Sequence, residues 1–351
     1  MEFSNSLLQW YLQHKRDLPW RNTTKPYPIW LSEIMLQQTR VAQGLPYFQA
    51  FTTAFPTIFD LANASEEQVL KLWQGLGYYS RARNLHQTAK FIANDLNGIF
   101  PKSYLELLKL KGVGEYTAAA IASFSYNEVV PVVDGNVYRV LSRYFDIETD
   151  ITSSSAKKEF TELAQQLIPK KNPALFNQAI MEFGALQCVP KNPNCEICIF
   201  NSSCLALQMK KIAELPVKSK KTKVINRYFN YLIFKDKNNN TILKQRTEKG
   251  IWQNLYEFPV IESNKEETYE SISKTIHSKY FNKKIKTITL LNTELIKHKL
   301  SHQHLYINFY EVEISVVLEN GISLENAKKM PFPVVIFNFL EKVFKIITKF
   351  D

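Results

Sequence analysis

Residues 103–124 read "SYLELLKLKGVGEYTAAAIASF", and the two glycines inside that run, Gly112 and Gly114, decide how the surrounding chain folds. Apolar residues recur every three or four positions on both sides of them, so two helices meet at a tight turn. Ser103 and Glu106 have the spacing of a capping box at the start of the first helix, and the second resumes at Glu115. Two readings suit such a turn. It is an αα-hairpin whose glycines merely permit the bend. Or it is a helix–hairpin–helix in which the glycine-loop amides and a helix N-terminus face a DNA phosphate, with Lys111 adding positive charge.

Outward from the hairpin the same periodicity persists. It runs through "PIWLSEIMLQQTRVAQGLPYFQAF" (28–51) and "SEEQVLKLWQGLGYYSRARNLHQTAKFIAND" (65–95), so residues 1–210 read as an all-α domain. A basic linker follows over 211–224, where "ELPVKSKKTKV" places four lysines after Pro216. Beyond it come short runs, "NRYFNYLIFKD", "NTILKQRT" and "HQHLYINFYEVEI", that suit strands, making 225–351 a smaller α+β domain. No repeat or low-complexity tract interrupts this order.

Composition agrees with a multidomain globular chain of 351 residues, 45% hydrophobic and 13% aromatic. A formal net charge of +11 points towards a polyanionic partner. The N-terminal residues lack a basic stretch followed by an apolar run, and the apolar C-terminal segment is broken by Glu341, Lys342 and Lys345. The expectation is a soluble, cytoplasmic protein with no membrane partner.

All four cysteines fall in "CVPKNPNCEICIFNSSC", as C-x6-C-x2-C-x5-C from Cys188 through Cys195 and Cys198 to Cys204. In a reducing compartment such clustered thiols bind metal more readily than they form disulfides. Structural zinc sites usually present two short knuckles separated by a longer loop, and only one C-x2-C occurs here. A cuboidal [4Fe–4S] cluster accepts four thiolates from one compact loop; zinc and unliganded thiols are the alternatives. Pro190 and Pro193 favour an irregular loop.

Two carboxylates stand out. Asp134 lies twenty residues after Gly114, between an apolar run and a helical pattern in "VVPVVDGNVYRVLSRYF", where a helix N-cap is the ordinary reading. Glu33 sits in a strongly apolar segment, with Trp30 and Gln37 on its helical face, where apolar neighbours would keep its carboxyl protonated. Two carboxyls in different environments suit glycosidic-bond cleavage, one donating a proton and the other stabilising an oxocarbenium-like centre.

Together, "LKGVGEYTAAA", the aspartate twenty residues on and the cysteine loop resemble the helix–hairpin–helix DNA glycosylase superfamily, and within it the adenine DNA glycosylases. "PYPIWLSEIMLQQTRV", "GLGYYSRARNL", "GVGEYTAAAIASF" and "VVDGNVYRV" carry the same likeness, which covers residues 16–204. The resemblance implies an all-α helix–hairpin–helix glycosylase domain with an iron–sulfur loop at 188–204, then a Nudix-like lesion-recognition domain. It implies a [4Fe–4S] cofactor on Cys188, Cys195, Cys198 and Cys204, chiefly structural, in a DNA-facing loop where Lys191 presents positive charge.

The implied reaction is monofunctional: adenine paired with 8-oxoguanine or G in double-stranded DNA is flipped out and excised by hydrolysis. Position by position, the resemblance makes Glu33 the proton donor and Asp134 the stabiliser of positive charge on the sugar, supported by Tyr116 and Asn136. Arg16, Trp30 and Leu36 fall where the family lines its adenine pocket, and Gln38 and Tyr78 where it wedges into the opposite strand. Lys111, Gly112 and Gly114 would hold phosphate, and Ser301 and His302 in "HKLSHQHL" would contact the lesion, Leu300 replacing the usual aromatic. The expected protein is a monomer. The rivals are an endonuclease III-like bifunctional glycosylase/lyase and a non-catalytic DNA-binding protein. The first needs a lysine amine where Tyr116 stands. The second is opposed by the presence of both carboxylates. The glutamates of "EFPVIESNKEETYESISKTIHSKY" lack the Arg-led pattern of a hydrolytic Nudix helix, so that domain reads as a recognition module.

Overall fold

Every residue from Thr117 to Ser123 is buried in the helix Glu115–Tyr126, because a run of alanines lets neighbouring helices close on it from all sides. The computed structural model that shows this describes residues 2–219, 224–280 and 284–347; Lys220, Lys221 and Lys223 of the expected linker lie outside them. In chain order the helices are α1 (Glu2–His14), α2 (Pro26–Met35), α3 (Val41–Ala54), α4 (Ile58–Asn63), α5 (Glu66–Leu72) and α6 (Ser80–Asn94). They continue as α7 (Tyr104–Leu107), α8 (Glu115–Tyr126), α9 (Gly135–Phe145), α10 (Ser154–Leu167), α11 (Pro173–Leu186) and α12 (Leu205–Gln208).

Two compact units result, Met1–Asn63 with Arg83–Lys220, and Ala64–Ala82 with Lys221–Asp351. The sequence reads residues 64–82 as part of the helical region. They are helical in part, but they group with the second unit because polar bonds tie them there. Lys71 Nζ donates to the carbonyls of Lys328 and Met330 at 2.6 and 3.1 Å, and Gln74 accepts from the Phe332 N–H at 3.0 Å. Nothing in the local pattern encodes those partners, which lie more than 250 positions away.

In the first unit, α1, α9, α10 and α11 share a core of Phe3, Leu7, Trp10, Val137, Leu141, Phe160, Phe176 and Phe183, and Phe200 of the cysteine loop joins it. Residues 28–51 are not one helix: α2 ends at Met35 and α3 begins at Val41, with Gln38 at a φ of 57° between them. At the expected capping box, Ser103 caps the first helix of the hairpin. Ser103 Oγ accepts from the Glu106 N–H at 3.3 Å, and its hydroxyl donates to the Glu106 carboxylate at 3.0 Å. A complete box caps α5, where Ser65 and Gln68 satisfy each other's N–H.

The second unit is built on β1 (Ile225–Lys235), β2 (Asn240–Thr241), β3 (Lys244–Gln245), β4 (Tyr256–Glu257), β5 (Val260–Ser263), α13 (Tyr269–Lys279), β6 (Ile285–Leu290), β7 (Ile296–Lys299), β8 (Gln303–Ile314) and β9 (Ile322–Ser323), with α14 (Leu324–Ala327) and α15 (Val334–Ile347) after them. The main sheet runs β5-β1-β8-β6, with β1 and β8 parallel and β7 also paired to β8. Ile272 and Ile276 of α13 cover one face against Leu232, Phe234 and Val312, and Phe339 of α15 stacks on Phe309 at 3.8 Å. "NTILKQRT" is not one strand; its halves pair separately, β2 with β9 and β3 with β4.

Candidate active site

Pro26 and Pro28 open α2, and the helix then buries everything from Ile29 to Met35. Glu33 is therefore only 6% exposed. Helix α8 packs against α2, and Tyr116 in its first turn donates its hydroxyl to Glu33 Oε2 at 2.7 Å. Burial pushes the Glu33 carboxyl up to about 7; the Tyr116 hydrogen bond opposes this, and the charge of Asp134 adds to it.

Asp134 caps α9. Its Oδ1 accepts from the N–H groups of Asn136 and Val137 at 2.9 and 2.8 Å, and its Oδ2 from the Asn136 side chain at 2.7 Å. Burial raises this carboxyl too, but the three donors and Arg139 pull the other way. The ordinary N-cap reading holds, and the same carboxyl also lines a cavity. Glu33, Tyr116, Asp134, Asn136, Arg16 and Leu36 all line one cavity of about 630 Å³. No lysine is among its described lining residues.

Trp30 corrects the expectation. It is absent from the cavity lining, 0% exposed, and packs edge-on against Phe100, its indole N–H without a hydrogen-bond partner among the described residues. Ile29, Ser32, Glu33 and Leu36 share the helix face turned to the cavity, and Trp30 faces inward behind them. Gln37 likewise turns away, donating to Thr117 Oγ1 at 3.1 Å.

Three cavity residues, Glu182, Arg21 and Arg139, stand outside those that the sequence singles out. Glu182 on α11 is 0% exposed and receives Arg16 at 2.6 Å and Arg21 at 2.7 Å. Burial alone would raise its carboxyl, but the two guanidinium groups hold it down to about 2. Glu182 stands 166 and 161 positions from these partners, so no local motif marks it. Arg139 donates to the Asn136 side chain at 2.8 Å and to the carbonyls of Gly184 and Cys188 at 2.7 Å, joining the Asp134 cap to the start of the cysteine loop. Only its place one turn after Asn136 hinted at this.

In the hairpin, Gly112 has a φ of 76°, and a Cβ there would lie 2.7 Å from Asn84 Cβ, so only glycine fits. Gly114 is the N-cap of α8 with open space where a Cβ would point, which leaves the helix N-terminus approachable. Lys111 is exposed, and its carbonyl accepts from Thr88 at 2.7 Å. Tyr78 and Ser301 belong to the second unit, where the tyrosine hydroxyl hydrogen-bonds Ser301 Oγ, while His302 is exposed beside them in sequence.

The four thiols line a common space walled by Val140, Phe183, Phe200, Leu207 and Ile212. Arg143 backs the loop with its side chain, donating to the carbonyls of Val189, Pro190 and Leu215 at 2.8–3.0 Å and approaching Cys188 Sγ at 3.5 Å. An all-sulfur donor set with the buried guanidinium groups of Arg139 and Arg143 beside it suits a soft metal group. Among the described residues no three His, Cys, Asp or Glu side chains are arranged to hold a single ion. Four thiols facing one largely apolar space fit a soft metal group.

Comparison with known proteins agrees with this geometry. Residues 31–166 match the HhH-GPD superfamily of base excision DNA repair proteins, and residues 230–342 match the NUDIX domain. The adenine DNA glycosylase of Buchnera aphidicola subsp. Baizongia pistaciae is 37% identical over 355 residues, covering 99% of this chain and 98% of that protein. The rat adenine DNA glycosylase is 47% identical over 215 residues, 59% of this chain and 42% of that one. A solved thermostable thymine-DNA glycosylase superposes with a TM-score of 0.55 at 30% identity, over 59% of this chain and 95% of its own. With near-complete coverage at that identity, the buried Glu33–Tyr116 pair and the capped Asp134 sit in a chain that belongs to the adenine DNA glycosylase family.

Proposed function

We propose that this chain is a monofunctional adenine DNA glycosylase that flips adenine out from opposite 8-oxoguanine or G in duplex DNA and hydrolyses its glycosidic bond. One observation carries the proposal most: a carboxyl whose value lies near 7, Glu33, shares a cavity with a second carboxyl anchored by three donors, Asp134. Glu33 then delivers a proton to the adenine, turning it into a neutral leaving group. Tyr116 bonds Oε2, which leaves Oε1 to carry that proton. Asp134 faces the sugar as positive charge develops there, and Asn136 and Arg139 hold it in place. Water completes the substitution and leaves an abasic site. The absence of a lysine from the described cavity lining speaks against a Schiff-base pathway.

Gln38 and Tyr78 act on the strand opposite the adenine, and Ser301 and His302 on the 8-oxoguanine. Lys111, Gly112 and Gly114 take a phosphate. The enzyme works as a monomer in the cytoplasm, bound to the nucleoid through DNA; among the described residues no helix is long and apolar enough to cross a membrane. Purified enzyme is tested on duplexes bearing A opposite 8-oxoguanine, A opposite G, A opposite C, and thymine glycol, with alkali omitted from half the reactions. Adenine release with strands left intact until alkali is added is the expected result. Cleavage at thymine glycol without alkali would favour the endonuclease III-like reading.

Cys188, Cys195, Cys198 and Cys204 would hold a [4Fe–4S] cluster, which supplies rigidity to the loop rather than chemistry to the bond being broken. Anaerobically purified protein is expected to contain about four irons per chain and the broad visible absorption of iron–sulfur charge transfer. Stoichiometric zinc without iron overturns the assignment. Cys198→Ser should lower soluble yield or DNA affinity more than the excision rate of whatever folds.

A further inference from the structure

Between α5 and α6 the backbone turns left-handed three times, at Gly75, Gly77 and Tyr78, with φ values of 101°, 79° and 49°. Glycine adopts this region freely, but a tyrosine does so only when its surroundings hold it there. Arg81 does the holding. It is 9% exposed, and its guanidinium donates to the carbonyls of Gly77 and Leu76 at 3.1 and 3.4 Å. The Trp73 indole N–H donates to the same Gly77 carbonyl at 2.9 Å. The guanidinium also faces two rings, 5.3 Å from the Trp73 centroid and 5.4 Å from that of Tyr78. Arg81 thus grips the backbone just before Tyr78 and the tyrosine ring itself, and the hydroxyl end is left to meet Ser301 Oγ. Ser301 is held as well. It occupies the tip of the β7–β8 hairpin, where Leu300 N–H donates to Gln303 O at 2.8 Å and Ile225 N–H to His302 O at 3.0 Å.

We infer that Tyr78, clamped by Arg81, fixes the direction of the Ser301 hydrogen bond, so that the serine presents lone pairs and not its proton to the purine it faces. The inference rests on the reading of Ser301 as a lesion contact and supplies the reason it discriminates. A serine hydroxyl has one proton and two lone pairs, and left to rotate it can donate or accept. Guanine N7 accepts; in 8-oxoguanine the same atom carries hydrogen and donates. A freely rotating serine would satisfy both purines. Once its proton is committed to the Tyr78 oxygen, it accepts only, which pairs with the lesion and sets lone pair against lone pair on guanine. In this scheme the phenol proton points to solvent, for which the 41% exposure of Tyr78 leaves room. Arg81 is a positioning residue in this scheme: it touches neither purine nor sugar.

The test measures, on full-length enzyme, the ratio of dissociation constants for duplexes carrying uncleavable 2′-fluoro-deoxyadenosine opposite G and opposite 8-oxoguanine. Tyr78→Phe keeps the ring and its clamp and removes only the hydroxyl. It is expected to lower the ratio as much as Ser301→Ala, by a few-fold to roughly tenfold, and the double variant to lose no more than either single. Arg81→Met should lower it non-additively with Tyr78→Phe, and Arg81→Lys, which keeps a cation between the rings, should recover part of the loss. Melting temperatures are measured alongside; if Arg81→Met does not fold, Tyr78→Phe decides, since its clamp is intact. A wild-type ratio in Tyr78→Phe, with a lowered one in Ser301→Ala, overturns the inference and leaves the lesion reading standing. A wild-type ratio in Ser301→Ala overturns both.

Discussion

Glu33→Gln is expected to bind lesion duplex as the wild type does while excising adenine slower by roughly 10²–10⁴-fold, the usual worth of general acid catalysis. The substitution preserves shape and still offers an oxygen to the Tyr116 hydroxyl, so the α2–α8 contact should survive. What disappears is a proton held at a value matched to neutral pH. Single-turnover rates measured from pH 5 to 9 should show the same group in the wild type. In the proposed mechanism the acid form is the active one, so the rate should be flat well below about 7 and fall about tenfold per unit above it. Stability follows the same sign. A carboxyl raised from 4.5 to about 7 on folding contributes stability that is complete below about 4.5 and lost as pH climbs through 7. Melting temperature should therefore decline across that window in the wild type and less in Glu33→Gln. Single-turnover excision by the variant within about threefold of wild type would remove Glu33 from the mechanism.

Glu33 was legible from its own segment because burial could be read from its neighbours: a carboxylate amid Ile29, Trp30, Leu31, Ile34 and Met35 has few ways to avoid low dielectric. Asp134 was legible for a similar reason, since a helix start after an apolar run calls for a side-chain cap. Gly112 announced its left-handed turn, and the four cysteines their common space. All of these are local or compositional signals. Trp30 shows where locality fails: helical spacing puts it within reach of Glu33's face, but which side of the stripe meets the cavity depends on Phe100, seventy positions along. Glu182 fails more completely, because its meaning comes from two arginines on the far side of the sequence. The grouping of residues 64–82 with the sheet-based unit is of the same kind, a matter of carbonyls at 328 and 330 that no periodicity foretells. Tyr78 stands out in the sequence, yet its partner Ser301 lies 223 positions away.

Asp134→Asn should cost excision on the order of 10²–10³-fold with almost no loss of stability, and the contrast with Asp134→Ala tells why. The proposed mechanism gives Asp134 two duties. As the N-cap of α9 it accepts from Asn136 and Val137, and asparagine caps about as well as aspartate, so the helix start should persist. As an anion in the cavity it opposes the positive charge that grows on the sugar as adenine leaves, and asparagine cannot do this. Rate and stability should therefore separate. Asn keeps the fold and loses the chemistry, whereas Ala loses the cap as well and should lower stability by a further ~1 kcal/mol. The Asn136 amide sharpens the comparison. It donates to Asp134 Oδ2 while its own oxygen accepts from Arg139, so its orientation is set from the far side. In Asp134→Asn that amide meets either another amide's oxygen or its NH₂, and the variant's side chain must turn its oxygen towards two backbone N–H groups or towards Asn136. The backbone pair should win, since losing it strands two donors, and the Asn136 contact weakens. Binding of uncleavable lesion duplex should change by less than tenfold, because the interaction removed is one that matters only as charge develops. An Asp134→Asn enzyme that excises adenine at the wild-type single-turnover rate would leave the aspartate as a helix cap alone, and the carboxylate pair as a coincidence of packing.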